Sequence, residues 1–185
     1  MTAVSVQKLQ EIYATGDDPW AFRTSAYEQA KFAATRAALP RKAYRSALEI
    51  GCGNGELARH IAPICERYTG LDAVERAIIA ARKAVPQGKF VCQFLPGDLP
   101  GGDHDLILLS EILYFLDEPG LKSLARQVGR CGPSADIVCV TWLGPTGNAL
   151  GGVEALELFI AATGRHFQLV TQTDKYRIDV SEPHA

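Results

Sequence analysis

The chain has 185 residues, 47% of them hydrophobic and 22% charged, with a formal net charge of −2. That length predicts a single domain over residues 1–185 with a sizeable core, and the charge gives no electrostatic reason to bind nucleic acid. No apolar run reaches the roughly 18 residues of a membrane span, and the N-terminus lacks signal-peptide features. We therefore expect a cytoplasmic protein without membrane or nucleic-acid partners.

The five cysteines and four histidines have no spacing typical of metal ligands or of a disulfide framework. We expect no metal site, and we expect the cysteines to be small buried hydrophobic residues.

The first predicted elements are two helices that precede any strand. Apolar residues recur at helical spacing over 4–14, and a second helix starts at a capping box formed by Ser25 and Glu28 and ends before Pro40. Because these helices belong to no βαβ unit, we expect residues 1–40 to form a helical lid.

Strand and helix patterns alternate along the rest of the chain. The predicted strands are 46–50, 67–72, 89–94, 105–110, 135–142, 166–171 and 175–180, and the predicted helices are 55–62, 74–84, 117–129 and 152–163. Such alternation indicates an α/β fold with helices on both faces of a mostly parallel sheet. The short turn between the last two strands forces an antiparallel pair. We therefore expect residues 41–185 to form a doubly wound, seven-stranded, Rossmann-like core with one antiparallel strand.

The first strand runs into a glycine-rich turn, which is the strongest functional signal in the chain. Gly51, Gly53 and Gly55 alternate before a helix begins, and Asp72 follows about 20 residues later. Glycines let a backbone approach a ligand closely, a helix start offers free N–H groups, and an acidic residue at that distance can accept both ribose hydroxyls. The turn predicts a nucleoside-cofactor pocket, to which Cys52 would contribute its backbone.

The glycine spacing narrows the choice of cofactor. The pattern is G-x-G-x-G rather than the G-x-G-x-x-G of dinucleotide sites, and Gly55 is followed by Glu56 rather than by the lysine of a phosphate-binding loop. Glu49 before the turn suits a ligand with ammonium donors better than a pyrophosphate. These features favour S-adenosylmethionine (SAM) over NAD.

In doubly wound sheets, ligands bind beyond the carboxyl ends of the strands. Further site residues are therefore expected directly after strands, and these are Ala73, Gln93, Phe94, Leu95, Ser110, Glu111 and Trp142.

The glycine turn, Asp72 and the segment from Asp105 to Leu116 resemble those of class I SAM-dependent methyltransferases. A narrower similarity links residues 18–20, 27–28, 110–116 and 147–154 to the rhizobial nodulation-type methyltransferases. Those enzymes N-methylate the free amine of a deacetylated chitooligosaccharide.

The resemblance implies roles for particular residues. Gly51, Gly53 and Gly55 would pack against the methionine and ribose parts of SAM, Glu49 would face its amino-acid end, and Asp72 would hold the ribose hydroxyls. Where the family often has an acidic residue for the adenine amine, this chain has Gln93.

Methyl transfer is an in-line displacement, so the enzyme mainly aligns the reacting groups and excludes water. Because an amine acceptor is protonated at neutral pH, a carboxylate that orients it or accepts its proton is useful. Glu111 is the candidate, with Tyr114 as a wall or hydrogen-bond donor and Trp142 beside the acceptor. Both residues also have a structural alternative. Glu111 could be a carboxylate that stabilises the start of a helix, and Tyr114 could be an aromatic side chain of the core.

Three residues of the predicted lid are candidates for ligand contact. Trp20 and Tyr27 could stack on the adenine or on a sugar face, and Arg23 could pair with the SAM carboxylate. The alternative is ordinary helix packing.

Three functions stay open at this point. They are a SAM-dependent methyltransferase acting on the amine of a small molecule or a deacetylated chitooligosaccharide, an NAD(P)-dependent Rossmann oxidoreductase, and a non-catalytic SAM-binding module. The glycine spacing disfavours the second. The sequence leaves the oligomeric state open.

Overall fold

The computed structural model describes residues 3–183. Six α-helices and seven β-strands follow one another in the order expected for alternating units. They are α1 (Val6–Ile12), α2 (Ala26–Ala37), β1 (Tyr44–Ile50), α3 (Glu56–Ile61), β2 (Cys65–Asp72), α4 (Glu75–Ala84), β3 (Lys89–Cys92), β4 (Leu106–Ser110), α5 (Glu118–Cys131), β5 (Asp136–Trp142), α6 (Gly152–Thr163), β6 (Gln168–Gln172) and β7 (Tyr176–Ser181).

The strands form one sheet in the order β3-β2-β1-β4-β5-β7-β6. The first five strands pair in parallel, and β7 runs antiparallel to both β5 and β6. The predicted doubly wound, seven-stranded sheet with one antiparallel strand is therefore confirmed. The strand order reverses between β1 and β4, so the residues that follow these two strands lie side by side at the switch point.

Helices cover both faces of the sheet, and β4 shows why its sequence is almost wholly apolar. Leu106 and Leu108 pack with α2, α3 and α4 on one face, whereas Ile107 and Leu109 pack with α5 and α6 on the other. Successive side chains of a strand point to opposite faces, and a strand buried on both faces must be apolar at every position.

The N-terminal helices lie against the sheet domain rather than away from it. The backbone N–H of Val4 donates to the carbonyl of Phe115 at 2.9 Å, and Tyr13, just after α1, packs on Val74 and Ala77 at the start of α4. No helix within residues 3–183 is both long and apolar enough to cross a bilayer.

The capping box predicted before α2 is only half formed. Ser25 Oγ accepts a hydrogen bond from the N–H of Glu28 at 3.3 Å, but the carboxylate of Glu28 turns to Lys31 instead of returning to the cap. The buried ammonium of Lys31 attracts this carboxylate more strongly than the backbone N–H of Ser25 does. That N–H already donates to the carbonyl of Ala21.

Candidate active site

A cavity of about 600 Å³ opens at the carboxyl ends of the parallel strands. It brings together most of the residues predicted from the sequence, from the glycine turn, the strand ends and the N-terminal segment. They are Trp20, Gly51, Gly53, Asp72, Ala73, Gln93, Phe94, Leu95, Ser110, Glu111, Tyr114 and Trp142. The cavity therefore joins the expected cofactor residues and the expected acceptor residues in one continuous space.

The structure does not bring two predicted lid residues to this cavity. Arg23 makes an exposed, two-pronged contact with Asp17, at 2.8 and 3.0 Å, so its guanidinium already has a carboxylate partner. The ring of Tyr27 lies edge-on to Tyr176, with 6.1 Å between the centroids. Neither Arg23 nor Tyr27 lines the cavity, so the structure gives no support to the predicted cofactor contacts of these two residues.

Three residues around the glycine turn are buried behind the cavity wall. Glu49 is 1% exposed and accepts a 2.7 Å hydrogen bond from the hydroxyl of Tyr68. Burial raises the pKa of Glu49 to about 8. Cys52 packs in the core, and Gly55 caps α3. These residues shape the turn from behind and do not line the space that a ligand would fill.

The glycines of the turn serve two different purposes. Gly51 (φ +83°) lines the cavity, and a Cβ atom there would lie 3.0 Å from Cβ of Ile112. Gly55 (φ +83°) faces α4 instead, and its Cβ would lie 2.8 Å from Cα of Ala81. The first glycine leaves room at the site, and the second allows two helices to approach closely.

Asp72 is the acidic group nearest to the turn. Its Oδ2 accepts the N–H of Gly53 at 2.9 Å and its Oδ1 accepts the N–H of Val74 at 3.0 Å. Burial raises the pKa of Asp72, while these N–H donors act in the opposite direction. Each carboxylate oxygen has a second lone pair, so Asp72 is fixed in place and can still accept hydroxyl donors. This arrangement fits the ribose of SAM.

Aromatic side chains from the N-terminal segment stand over the glycine turn. Trp20 stacks on Phe22 at 5.4 Å and meets the ring of Tyr13 edge-on at 5.4 Å. Phe22 approaches within 3.4 Å of the position of a Cβ on Gly53. Trp20, predicted as an acceptor residue, therefore belongs to the wall that faces the glycine turn.

Sequence reasoning missed Tyr13 and Phe22. The first was assigned only to the apolar face of a helix, and the second lies in a segment without regular periodicity.

Gln93, for which the resemblance implies a contact with the adenine amine, lines the cavity. Its backbone N–H donates to the carbonyl of Asp72 at 2.7 Å, and its side-chain nitrogen donates to the carbonyl of Asp98. The amide oxygen is then the side-chain atom that can accept from an adenine amine.

Glu111 stands at the other end of the cavity, directly after β4. Its backbone has φ +54°, a left-handed conformation that is uncommon for a residue with a side chain, and its N–H donates to the carbonyl of Val140 at 2.8 Å. Burial raises the pKa of the Glu111 carboxyl, and the neighbouring ammonium of Lys31 opposes that rise. The carboxylate thus lies at the cavity wall beside a buried cation.

Two residues of α2 complete this end of the cavity. Lys31 Nζ lies 2.6 Å from Oε1 of Glu111 and 2.7 Å from Oε2 of Glu28. Glu28 lines the cavity with Glu111 and Tyr114. Burial and the nearby carboxylate of Glu111 raise the pKa of Tyr114, so its hydroxyl stays protonated and can donate a hydrogen bond.

Glu28 and Lys31 were not predicted as site residues. Glu28 was assigned to the capping box. The signal appears only in the structure, where α2 buries Lys31 together with Phe32 and Thr35, and a fully buried lysine needs a partner.

The described part of the chain holds no group of three or more His, Cys, Asp or Glu side chains that could bind a metal ion.

The family model described as Nodulation protein S (NodS) matches residues 2–142 of the chain. Nodulation protein S from Bradyrhizobium diazoefficiens is 29% identical over 174 residues, which cover 86% of this chain and 81% of the relative. Nodulation protein S from Sinorhizobium fredii is 29% identical over 171 residues, covering 87% and 77%. The crystal structure of the N-methyltransferase NodS from Bradyrhizobium japonicum WM9 in complex with S-adenosyl-L-homocysteine (SAH) matches with a TM-score of 0.80 at 22% identity, covering 96% of this chain and 97% of that one.

Proposed function

The chain belongs to the Nodulation protein S (NodS) family, and from that premise we propose that it is a SAM-dependent methyltransferase that methylates an amine nitrogen. The predicted resemblance to nodulation-type methyltransferases is confirmed. None of the relatives described above is an oxidoreductase, so the NAD(P)-dependent alternative has no support.

The observation that carries the proposal is the single cavity that joins Asp72 to Glu111. SAM, when bound, supplies a methyl group on a positively charged sulfur. Gly51 and Gly53 would let the backbone approach it, Asp72 would accept the ribose hydroxyls, and Gln93 would accept from the adenine amine. Trp20, with the two aromatics beside it, would cover this part of the cavity and exclude water.

Ala73, Phe94, Leu95 and Ser110 line the cavity between these groups. Because of this position, we assign them to the surroundings of the cofactor.

The acceptor would enter beside Glu111, Tyr114 and Trp142. An amine that arrives as an ammonium ion gives one proton to the carboxylate of Glu111, and its nitrogen then has a free electron pair for the methyl group. Tyr114 would donate a hydrogen bond or form the wall. The amine of a small molecule or of a deacetylated chitooligosaccharide fits this chemistry, and the matched NodS structure is that of an N-methyltransferase.

Residues 1–40 would act as a lid within a single domain of residues 1–185. Supporting this, the N-terminal segment contributes Tyr13, Trp20 and Phe22 to the cavity wall. None of the five cysteines is paired, which supports a cytoplasmic location.

Two measurements test the proposal. SAM and SAH should raise the melting temperature and NAD should not, because a ligand that binds the native state stabilises it. Methyl transfer should then occur to an amine panel that includes chitosan oligomers, with fully N-acetylated oligomers as the matched control. Stabilisation by NAD alone would contradict the proposal. Stabilisation by SAM without transfer to any amine would indicate a non-catalytic SAM-binding module.

A further inference from the structure

A buried cation lies between two carboxylates at the acceptor end of the cavity. The side chain of Lys31 is 2% exposed, and its Nζ contacts Glu28 and Glu111, whose side chains are 12% and 21% exposed. Both carboxylates line the cavity, whereas Lys31 is not part of the lining. The ammonium therefore holds the two acids from behind and leaves the space in front of them to a ligand.

The formal charges of this cluster do not balance. Two carboxylates and one ammonium sum to a net charge of minus one, and a buried net charge is costly unless another group neutralises it.

Other titratable groups around the cluster come from α2, the segment after β4 and the turn before β7, and they are Tyr27, Tyr114, Asp174, Lys175 and Tyr176. The tyrosines are neutral at physiological pH, and Asp174 and Lys175 carry opposite charges. These neighbours do not cancel the unmatched carboxylate.

We propose that Lys31 is a positioning residue for the acceptor, and that the single negative charge it leaves on Glu28 and Glu111 selects an amine that arrives as a singly charged ammonium ion. This inference rests on the proposed methylation of an amine. One ammonium would bring the cluster to neutrality, whereas a neutral hydroxyl would not.

The cluster also defines where the acceptor's proton goes. The bound ammonium ion transfers one proton to Glu111, which becomes a neutral carboxyl group, and the acceptor becomes a neutral amine with a free electron pair. Lys31 keeps its protons and its contact with Glu28. No other charge changes, so the site passes from one charge-balanced state to another.

A purely structural ion pair predicts different behaviour. In that case the Lys31 contacts would only stabilise the docking of α2, and substitutions would change stability without changing the affinity for ammonium ligands. The tests therefore use the charge on the cluster as the variable.

The first test measures the binding of a chitin tetramer that carries one free amine to the SAH-bound protein by calorimetry, with the fully N-acetylated tetramer as the control. E28Q makes the cluster neutral and should weaken tetramer binding about tenfold or more, the usual effect of losing a charge-assisted contact. K31R keeps the charge and should bind within a few-fold of the wild type. The double variant K31M/E28Q has a formal charge of minus one again and should bind more tightly than E28Q.

Two results would overturn the inference. One is tetramer binding by E28Q that equals the wild type. The other is binding by K31M/E28Q that is no tighter than binding by E28Q.

The second test needs neither acceptor nor turnover. Carbon-13 NMR of labelled glutamate carboxyl groups follows the titration of Glu111 in the free protein. In K31M the Glu111 signal should titrate at higher pH than in the wild type, and K31R should restore the wild-type midpoint. Equal midpoints in K31M and wild type would show that Lys31 does not set the charge of Glu111, and would overturn the inference even if the enzyme methylates amines.

If K31M does not fold, the same titration of Glu111 can be measured in E28Q. Removal of the like charge of Glu28 should move the Glu111 titration to lower pH, and an unchanged midpoint would count against the inference. If no amine is methylated while these titrations behave as expected, the proposed function fails and the positioning of the carboxylates by Lys31 stands.

Discussion

The carboxylate of Asp18 accepts a 3.0 Å hydrogen bond from the side-chain amide of Asn54. The same carboxylate accepts the backbone N–H groups of Phe22 at 2.7 Å and Arg23 at 3.1 Å. One side chain thus orders the N-terminal segment internally and attaches it to the glycine turn. The aromatic wall over Gly53 depends on this attachment.

Replacement of Asp18 by alanine should weaken SAH binding about tenfold, because the segment loses its link to Asn54 and covers the cavity less often. Calorimetry with SAH measures the effect. Asp17→Ala is the matched control, since it removes only an exposed ion pair with Arg23 and should leave the affinity unchanged. Equal affinities for the Asp18 variant and the wild type would contradict a role of this segment in cofactor binding.

Glu111→Gln should lower turnover about 100-fold or more, because an amide cannot accept the acceptor's proton. SAH affinity should stay within a few-fold of the wild type, since Asp72 and the glycine turn are untouched. Steady-state kinetics and SAH calorimetry separate the two effects. Unchanged turnover would remove Glu111 from the amine-handling role, and Tyr114→Phe provides a separate test of the hydroxyl.

The activity of the wild type should decline on the acid side. Burial raises the pKa of Glu111 above that of an exposed glutamate, and only its ionised form can accept a proton. As the pH falls through this raised pKa, kcat/KM should fall with it. The same acidic limb should be absent from the residual activity of Glu111→Gln.

Glu49 should make stability depend on pH. Its carboxyl has an ordinary pKa of 4.5 and a folded-state pKa of about 8. Because the folded state binds the proton more tightly, the free energy of unfolding should decrease as pH rises from about 4.5 to about 8. Glu49→Gln keeps an acceptor for Tyr68 and removes the ionisation.

Urea unfolding at pH 5 and pH 8 measures this effect. At pH 8 the Glu49→Gln variant should be more stable than the wild type by at least about 1 kcal/mol, with a smaller difference at pH 5. Parallel pH profiles for the two proteins would show that folding does not raise the pKa of Glu49.

Gly55→Ala should destabilise the fold by about 2–4 kcal/mol, through overpacking and left-handed backbone strain together. The new Cβ would lie 2.8 Å from the backbone of Ala81, so α3 and α4 must separate. Gly147→Ala is the control, because Gly147 shares a left-handed backbone (φ +68°) but has open space around it. It should cost only about 1 kcal/mol. Equal losses in chemical denaturation would mean that backbone strain alone explains both.

The sheet and the cofactor end of the cavity were predictable because their signals are local. The apolar run of β4, the alternating glycines and Asp72 each follow from periodicity or spacing within about 20 residues. Parallel pairing then brings the residues after each strand to one edge of the sheet, and most of the predicted residues line the cavity there.

The acceptor end was only partly predictable. Glu111 follows a strand and was found, but its contact with Lys31 joins positions 80 residues apart and depends on how α2 docks. Arg23 was predicted to reach the cofactor but does not line the cavity, and its guanidinium pairs with Asp17 instead. Spacing in the sequence indicates which residues of one helix or strand are candidates for the site. Which side chains of different helices and strands contact each other depends on how those elements pack.

The division of the cavity between chain segments has an evolutionary consequence. Apart from Ser110 and the N-terminal aromatics, the residues proposed for the cofactor lie between Gly51 and Leu95, whereas Glu28 and Lys31 reach the acceptor end from α2. New acceptor preferences can therefore arise through changes in one amphipathic helix while the cofactor segment is inherited unchanged. Chimeras that exchange α2 between relatives are a direct route to altered amine selectivity.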